Sequence, residues 1–372
     1  MNFDFSDEQK ELKDQAKRFL SEQCGPTVVR NILESDEPFA RDLWKQVAEM
    51  GFTGTAIPEE YGGIGYGYLE LCLIAQELGR VAAPIPFSSS VYLAAEALIA
   101  AGSEEQKQQY LTKIASGEAI GTVAVAEGPL VSPTAPSTTL FENGKLTGTK
   151  IPVPDGDVAD FAIVLASAGS GGPATLALVD LNADGVLRSA IETIDPTRSH
   201  GKLTFDGAAA EPLGDSGAGA EILDTVFNRA AVLFAFEQLG GADFCLGMAR
   251  QYATERFAFG RAIGSFQAIK HRLADMYMKN ELARSNCYFG AWALSTDAEE
   301  LPTAAAGARI SATQAYHFAS KENIQIHGGM GFTWEFDCHF YYRRAKLLAL
   351  NLGSESQWKD KLLSQLEIEF IA

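Results

Sequence analysis

The sequence predicts an α+β chain, mainly α: an N-terminal helical domain, a middle β-barrel or sandwich domain and a C-terminal helix bundle. Three observations predict it. Apolar residues recur at helical spacing in the first third, short strand-like runs alternate with turn residues in the middle, and long helical periodicity fills the remainder. The expected divisions are residues 1–118, 119–218 and 219–372.

In the first part, "FSDEQKELKDQAKRFL" is charged and helical, with Ser6 and Glu8 to Gln9 near a plausible start. "LWKQVAEM" and "LELCLIAQELGRV" repeat apolar residues at three- and four-residue steps, and "IPEEYGGIGYG" between them is a turn-rich loop. In the middle part, Asn143-Gly144 within "LFENGKLTGTK" is a hairpin signal. "DFAIVLASA", "ATLALVDL" and "GKLTFDG" read as strands, and "ASAGSGGPA" as a hairpin tip. In the last part, "SFQAIKHRLADMYM" sets Phe266, Ile269, Leu273 and Met276 on one stripe expected to be buried.

Bulk properties narrow the function. A chain of 372 residues suggests two or three packed units. Its net charge of −18 repels phosphate backbones and anionic lipid, so neither nucleic acid nor a membrane surface is an expected partner. A small anionic ligand then requires arginines gathered locally. The five cysteines are scattered and form no CxxC, which points to reduced thiols in a soluble, cytoplasmic protein. His200, His271, His317 and His339 lack metal-ligand spacing, and no metal site is expected.

Two stretches carry the functional signal. "NIQIHGGMGFTWEFDCHFYYRRAK" breaks at Gly328-Gly329-Met330-Gly331, although glycine in a helix costs about 1 kcal/mol against alanine. On pattern alone this reads equally as a tight helix-to-helix turn or as backbone bared for a pyrophosphate. "YATERFAFGRAIGSFQAIKHRLADM" gathers Arg256, Arg261 and Arg272 near Phe259 and Gln267 in an otherwise acidic chain. By itself it reads as bundle core with a solvated cationic face.

Together with "IPEEYGG", "ELGRVAAPIP" and "DPTRSHGKLTFDG", these stretches resemble the acyl-CoA dehydrogenase family, in the family's order and over essentially the whole chain. The resemblance implies a four-helix bundle as the last domain, FAD as cofactor, and a homotetramer or a heterotetramer with a homologous subunit. It also implies oxidation of an acyl-CoA thioester to the 2,3-enoyl-CoA. A flavoprotein is the expected electron acceptor, with direct use of O₂ left open. By the resemblance, Arg256, Phe259 and Gln267 hold FAD bound mainly by a neighbouring subunit, as do Gln325, Ile326, His327, Gly328 and Gly329. Glycine lets backbone approach the phosphates, and the guanidinium of Arg256 supplies forked donors. His327 is read either as a contact to FAD or as a helix cap.

The same resemblance exposes departures. The reaction needs a carboxylate to take the proton beside the thioester carbonyl. One family position for that glutamate corresponds to Leu352, before Gly353-Ser354, and the other to Asn228, before Arg229; neither accepts a proton. On the flavin side, Ala126 stands where a threonine is usual, the Gly-Ser-Asp loop is missing, and Pro152 and Pro154 replace Trp and Thr. The losses fall on the subunit's own flavin face, and the retained residues are those that reach a partner's FAD. That division implies the non-catalytic member of a heteromer acting on bulky CoA thioesters such as steroid side chains. The alternatives are a flavin-free structural subunit, or a homotetramer with a displaced base, Glu237. This glutamate lies about two turns beyond Asn228. Its apolar neighbours Leu233, Phe234, Phe236 and Leu239 would make a carboxylate a stronger base, set against a merely exposed or N–H-paired role.

Overall fold

The structure, a computed structural model, describes residues 5–128 and 137–371. The first helix, α1 (Asp7–Gln23), starts at a reciprocal capping box: Ser6 Oγ accepts from the Gln9 amide N–H, and the Gln9 side chain accepts from the Ser6 N–H. Then follow α2 (Pro26–Leu33), α3 (Arg41–Glu49), α4 (Tyr68–Arg80), a π-helical turn at Ser88–Ala95 continuing into α5 (Glu96–Ala101), and the short α6 (Glu104–Gln106) and α7 (Thr112–Ala115). Most of α4 is buried from Leu71 to Gly79, because it lies between α1 and the long bundle helix that comes later.

The middle of the chain forms one sheet from β1 (Gly121–Ala124), β2 (Leu140–Glu142), β3 (Lys145–Pro154), β4 (Phe161–Ser167), β5 (Ala174–Asp180), β6 (Val186–Ala190), β7 (His200–Ala209) and β8 (Glu211–Leu213). Its order is β6-β7-β3-β2-β4-β5-β8, with β1 added in parallel to β4. Asn143 and Gly144, at φ 52° and 73°, turn the chain between the antiparallel β2 and β3, as the Asn-Gly signal predicts. β4 is buried along its whole length, whereas β6 at the sheet edge is largely exposed.

The C-terminal part holds α8 (Gly219–Glu255), a tight hairpin of β9 (Phe257–Ala258) and β10 (Arg261–Ala262), α9 (Gln267–Ser295), α10 (Leu301–His327), α11 (Cys338–Leu348) and α12 (Glu355–Ile371). α8, α9 and α10 pack on one another, α4 covers α8, and α11 and α12 lie against α10. The α4–α8 crossing is very close. A Cβ on Gly79 would stand 1.8 Å from the Glu237 carbonyl oxygen, and one on Gly240 1.8 Å from that of Gln76. Glycines on both helices therefore permit a separation that alanine would forbid. The stripe expected on α9 is buried only in part: Met276 is fully enclosed, while Phe266, Ile269 and Leu273 are half-buried. Their helix lies at the margin of the bundle and leaves Tyr277, Met278 and Leu282 facing outward.

Candidate functional site

Two regions hold the residues singled out by sequence. The first is the far end of the bundle, where the C-termini of α8 and α10 meet the N-terminus of α9. Tyr252 on α8 stacks on His327 of α10 at 4.1 Å between ring centroids, which fixes the two helix ends side by side. Arg256 caps α8, its side chain exposed where the helix dipole favours a cation. The hairpin turn that follows puts Phe259 at φ 55°, a left-handed conformation costing roughly 1–2 kcal/mol for a residue with a Cβ. The ring is nevertheless 96% exposed, set edge-on to Phe266 with 6.2 Å between ring centroids. Strain spent on an exposed aromatic ring has no explanation in this chain's own packing.

Gln267 opens α9 and is exposed, and Gln325 and Gly329 are exposed at the end of α10. Gly328 ends that helix at φ 61°, and a Cβ added to it or to Gly329 would meet nothing within 4 Å. The space over these two glycines is therefore open. Gly331 differs, because a Cβ there would stand 2.5 Å from the Ile324 carbonyl oxygen. Two members of the segment turn inward. Ile326 is in the core, and His327 Nδ1 lies 2.8 Å from the Asn323 carbonyl oxygen, with burial pushing the imidazole's pKa down. The His327 side chain is thus packed within α10, and it makes no capping hydrogen bond to the turn at Gly328–Phe332 that it precedes. Behind the bend, Arg30 on α2 donates to the Trp334 carbonyl (2.8 Å) and pairs with Asp337 (2.5 Å), tying the following loop to the first domain.

The second region is a cleft of about 530 Å³ between the sheet, α8 and the end of α11. Its walls are apolar, among them Leu93, Val123, Phe227 and Leu347. Ala126, Pro152 and Pro154 all line it. Prolines offer no N–H. The nearby amides of Ile151 and Gly128 are already donated to the carbonyls of Ala126 and Ile151, at 2.8 and 2.9 Å. Among the described residues, neither of these two amides is left to donate to a flavin's polar edge, and the polar side chains lining the cleft are Glu192, Thr193, His200 and Asn351. Residues 129–136, where the Gly-Ser-Asp loop is missing, lie outside the described residues.

At the two usual base positions, Leu352 is buried and Asn228 is hydrogen-bonded through Nδ2 to Asp224 at 3.2 Å. Glu237 does not line the cleft. It is buried behind it, with Arg198 at 3.3 Å and Arg344 at 3.8 Å. Arg344 also binds Asp195 at 2.6 Å, Thr197 Oγ1 and the carbonyls of Ala82 and Ala83. One guanidinium thereby joins all three parts of the chain. Glu237 is buried, as expected of a base in apolar surroundings, but sequence gave no sign of its two cationic neighbours. Sequence reasoning also missed Glu192 and His200, which do line the cleft: the carboxylate is exposed at its mouth and the imidazole is buried with its pKa pushed down. Glu127 accepts from Ser137, from the amides of Thr138 and Thr139, and from Lys150, and so anchors the strands on either side of it.

Models of the acyl-CoA dehydrogenase N-terminal and C-terminal domains match residues 6–118 and 217–359. The chain belongs to the acyl-CoA dehydrogenase family. These are oxidoreductases acting on the CH–CH bond of acyl-CoA thioesters, and flavoproteins that generally bind FAD. The acyl-CoA dehydrogenase IpdE2 of Mycobacterium tuberculosis is 34% identical over 97% of this chain and 98% of its own length. A chain of the ChsE4–ChsE5 complex of Mycobacterium tuberculosis superposes with a TM-score of 0.89 at 29% identity, covering 99% of this chain and 99% of its own. A variant of the Tcur3481–Tcur3483 steroid ACAD does so with a TM-score of 0.89 at 30% identity, covering 98% of this chain and 99% of its own.

Proposed function

We propose that this chain is the non-catalytic subunit of a heteromeric, FAD-dependent acyl-CoA dehydrogenase. In that assembly Arg256, Phe259, Gln267, Gln325, Gly328 and Gly329 grip FAD bound mainly by a homologous partner that carries the base. One observation carries the reading: open space over a glycine pair and a strained, exposed Phe259 at the same end of the bundle, in a chain whose own cleft is lined by Ala126, Pro152 and Pro154. Arg256 places charge at the pyrophosphate, and the bare backbone admits it closely. FAD supplies the hydride acceptor when bound; this chain's residues hold and orient it. The likeness to ChsE4–ChsE5 and to the Tcur3481–Tcur3483 steroid ACAD supports a two-chain assembly and a bulky CoA thioester substrate. The expected acceptor is a flavoprotein, and five buried free thiols suit a cytoplasmic setting.

A second reading, a homotetramer with its own displaced base, is favoured by Glu192 at the cleft mouth rather than by Glu237 between two arginines. Expression alone and with a homologous sister chain separates the two. One FAD per pair of subunits, with turnover only in the mixed complex, supports the heteromer. A pure homotetramer holding four FADs with full turnover overturns it.

A further inference from the structure

Two cavities of about 500 and 790 Å³ lie side by side between α1, α4, α8 and α9, sharing Lys17, Arg80 and Asp243. Their walls carry six cations (Lys10, Lys13, Lys17, Arg80, Arg250, Arg284) and three carboxylates (Asp14, Glu77, Asp243). This local excess stands out in a chain with 30 basic and 48 acidic residues. Two of the carboxylates are also committed: Glu77 pairs with Arg80 at 2.5 Å, and Asp243 with Arg284 at 2.8 Å. The Lys13 ammonium, largely desolvated, donates at 2.7 Å to the neutral amide of Gln76. Three lysines at 10, 13 and 17 thus form one cationic edge of α1.

The larger cavity has a different floor. Phe244 and Met248 line it, Phe244 lying against Tyr341 with centroids 4.8 Å apart. Between them Gly247 leaves α8 bare, for a Cβ there would meet nothing within 4 Å. A cationic compartment continuous with an aromatic and thioether floor matches a ligand with a polyanionic end and a flat, apolar end. We propose that this groove binds a nucleoside diphosphate or triphosphate, its phosphates among Lys10, Lys13 and Lys17 and its base over Gly247 against Phe244. Acidic peptide would present charge without a planar base, and would use the lysine edge alone.

Calorimetric titration of the full assembled protein with ADP, pyrophosphate and a glutamate-rich peptide tests the proposal. ADP is expected to bind more tightly than pyrophosphate. Lys13→Gln/Lys17→Gln is expected to weaken both by tenfold or more, and Gly247→Leu to weaken ADP alone. Thermal melting of each variant controls for folding. Arg256→Met, which alters the FAD clamp, should leave ADP affinity unchanged, so failure here is separable from failure of the heteromer reading. ADP affinity indifferent to the lysine pair, ADP no tighter than pyrophosphate, or binding of the peptide without ADP would each overturn the assignment.

Discussion

Replacing Glu237 by glutamine removes one negative charge from a site with almost no water. The carboxylate is 3% exposed and faces Arg198 and Arg344, themselves 4% and 1% exposed. After the change Arg344 keeps its ion pair with Asp195, while Arg198 loses the carboxylate it was paired with. Removing one partner of a buried ion pair costs roughly 3–5 kcal/mol, because the opposite charge is left without compensation. Glutamine keeps a carbonyl acceptor for Arg198, which favours the lower end, about 3 kcal/mol. With an unfolding entropy of about 2.1 cal/mol/K per residue over 372 residues, each kcal/mol moves the midpoint by about 1.3 °C, so the fall is about 4 °C. The assay pairs a calorimetric melt of the assembled protein with turnover per FAD at 20 °C. We expect the melt to shift and turnover to stay within twofold. An unchanged melt with turnover reduced a thousandfold or more would refute the reasoning and make Glu237 the base.

Other expectations follow from the same geometry. In Gly329→Leu the added Cβ has nothing of its own chain within 4 Å, so the isolated subunit should melt nearly as before while the assembled complex loses FAD, measured by flavin absorbance per protein. Arg30→Ala removes two hydrogen bonds to the loop after the clamp. Hydrogen exchange should then accelerate between Gly328 and Asp337, and FAD retention should fall several-fold, with little change in the global melt. Glu96 is pushed up to about 7, chiefly by burial, with Arg229 and Tyr68 opposing. Because this folded value exceeds the unfolded one of about 4.3, the stability it contributes is present below that pH and is lost as pH rises through 7. Glu96→Gln should therefore flatten the fall in melting temperature between pH 5 and 8, with a difference of up to about 3 kcal/mol at the upper end. A parallel fall in both proteins would show that Glu96 is already paired in its charged form.

The parts of the fold legible in sequence were those set locally. Ser6 and Gln9 form their capping box from residues three apart, and Asn143-Gly144 turns its hairpin from two adjacent residues. The α9 stripe was legible only in part, since how far Phe266, Ile269 and Leu273 sink depends on which helices cover them. The clamp was visible as glycines out of place in a helix, yet which of its residues face outward was not. Ile326 and His327 point inward because α8 arrives alongside and offers Tyr252. The cations around Glu237 come from positions 39 and 107 residues away in the chain, beyond any local pattern. Glu192 and His200 sit in the cleft because β6 and β7 are neighbours in the sheet, which spacing alone did not reveal.

The cleft and the clamp are physically independent, and that independence makes a division of labour between subunits attainable. The cleft is shaped by the sheet and α11, and the clamp by the ends of α8, α9 and α10, at the opposite end of the 37-residue helix α8. At about 1.5 Å per residue that helix spans some 55 Å, so a proline in the cleft cannot disturb Phe259 through direct contact. The charge network of Glu237, Arg198 and Arg344 holds the three parts of the chain in place whether or not the cleft reacts. On the proposed reading, loss of the base and of the subunit's own flavin contacts thus leaves both the fold and the clamp intact. What such a chain keeps is an open surface that is strained at Phe259 and bare at Gly329. Among the described residues Phe259 meets the edge of Phe266 and a Cβ on Gly329 would meet nothing within 4 Å, as expected if further contact belongs to another subunit.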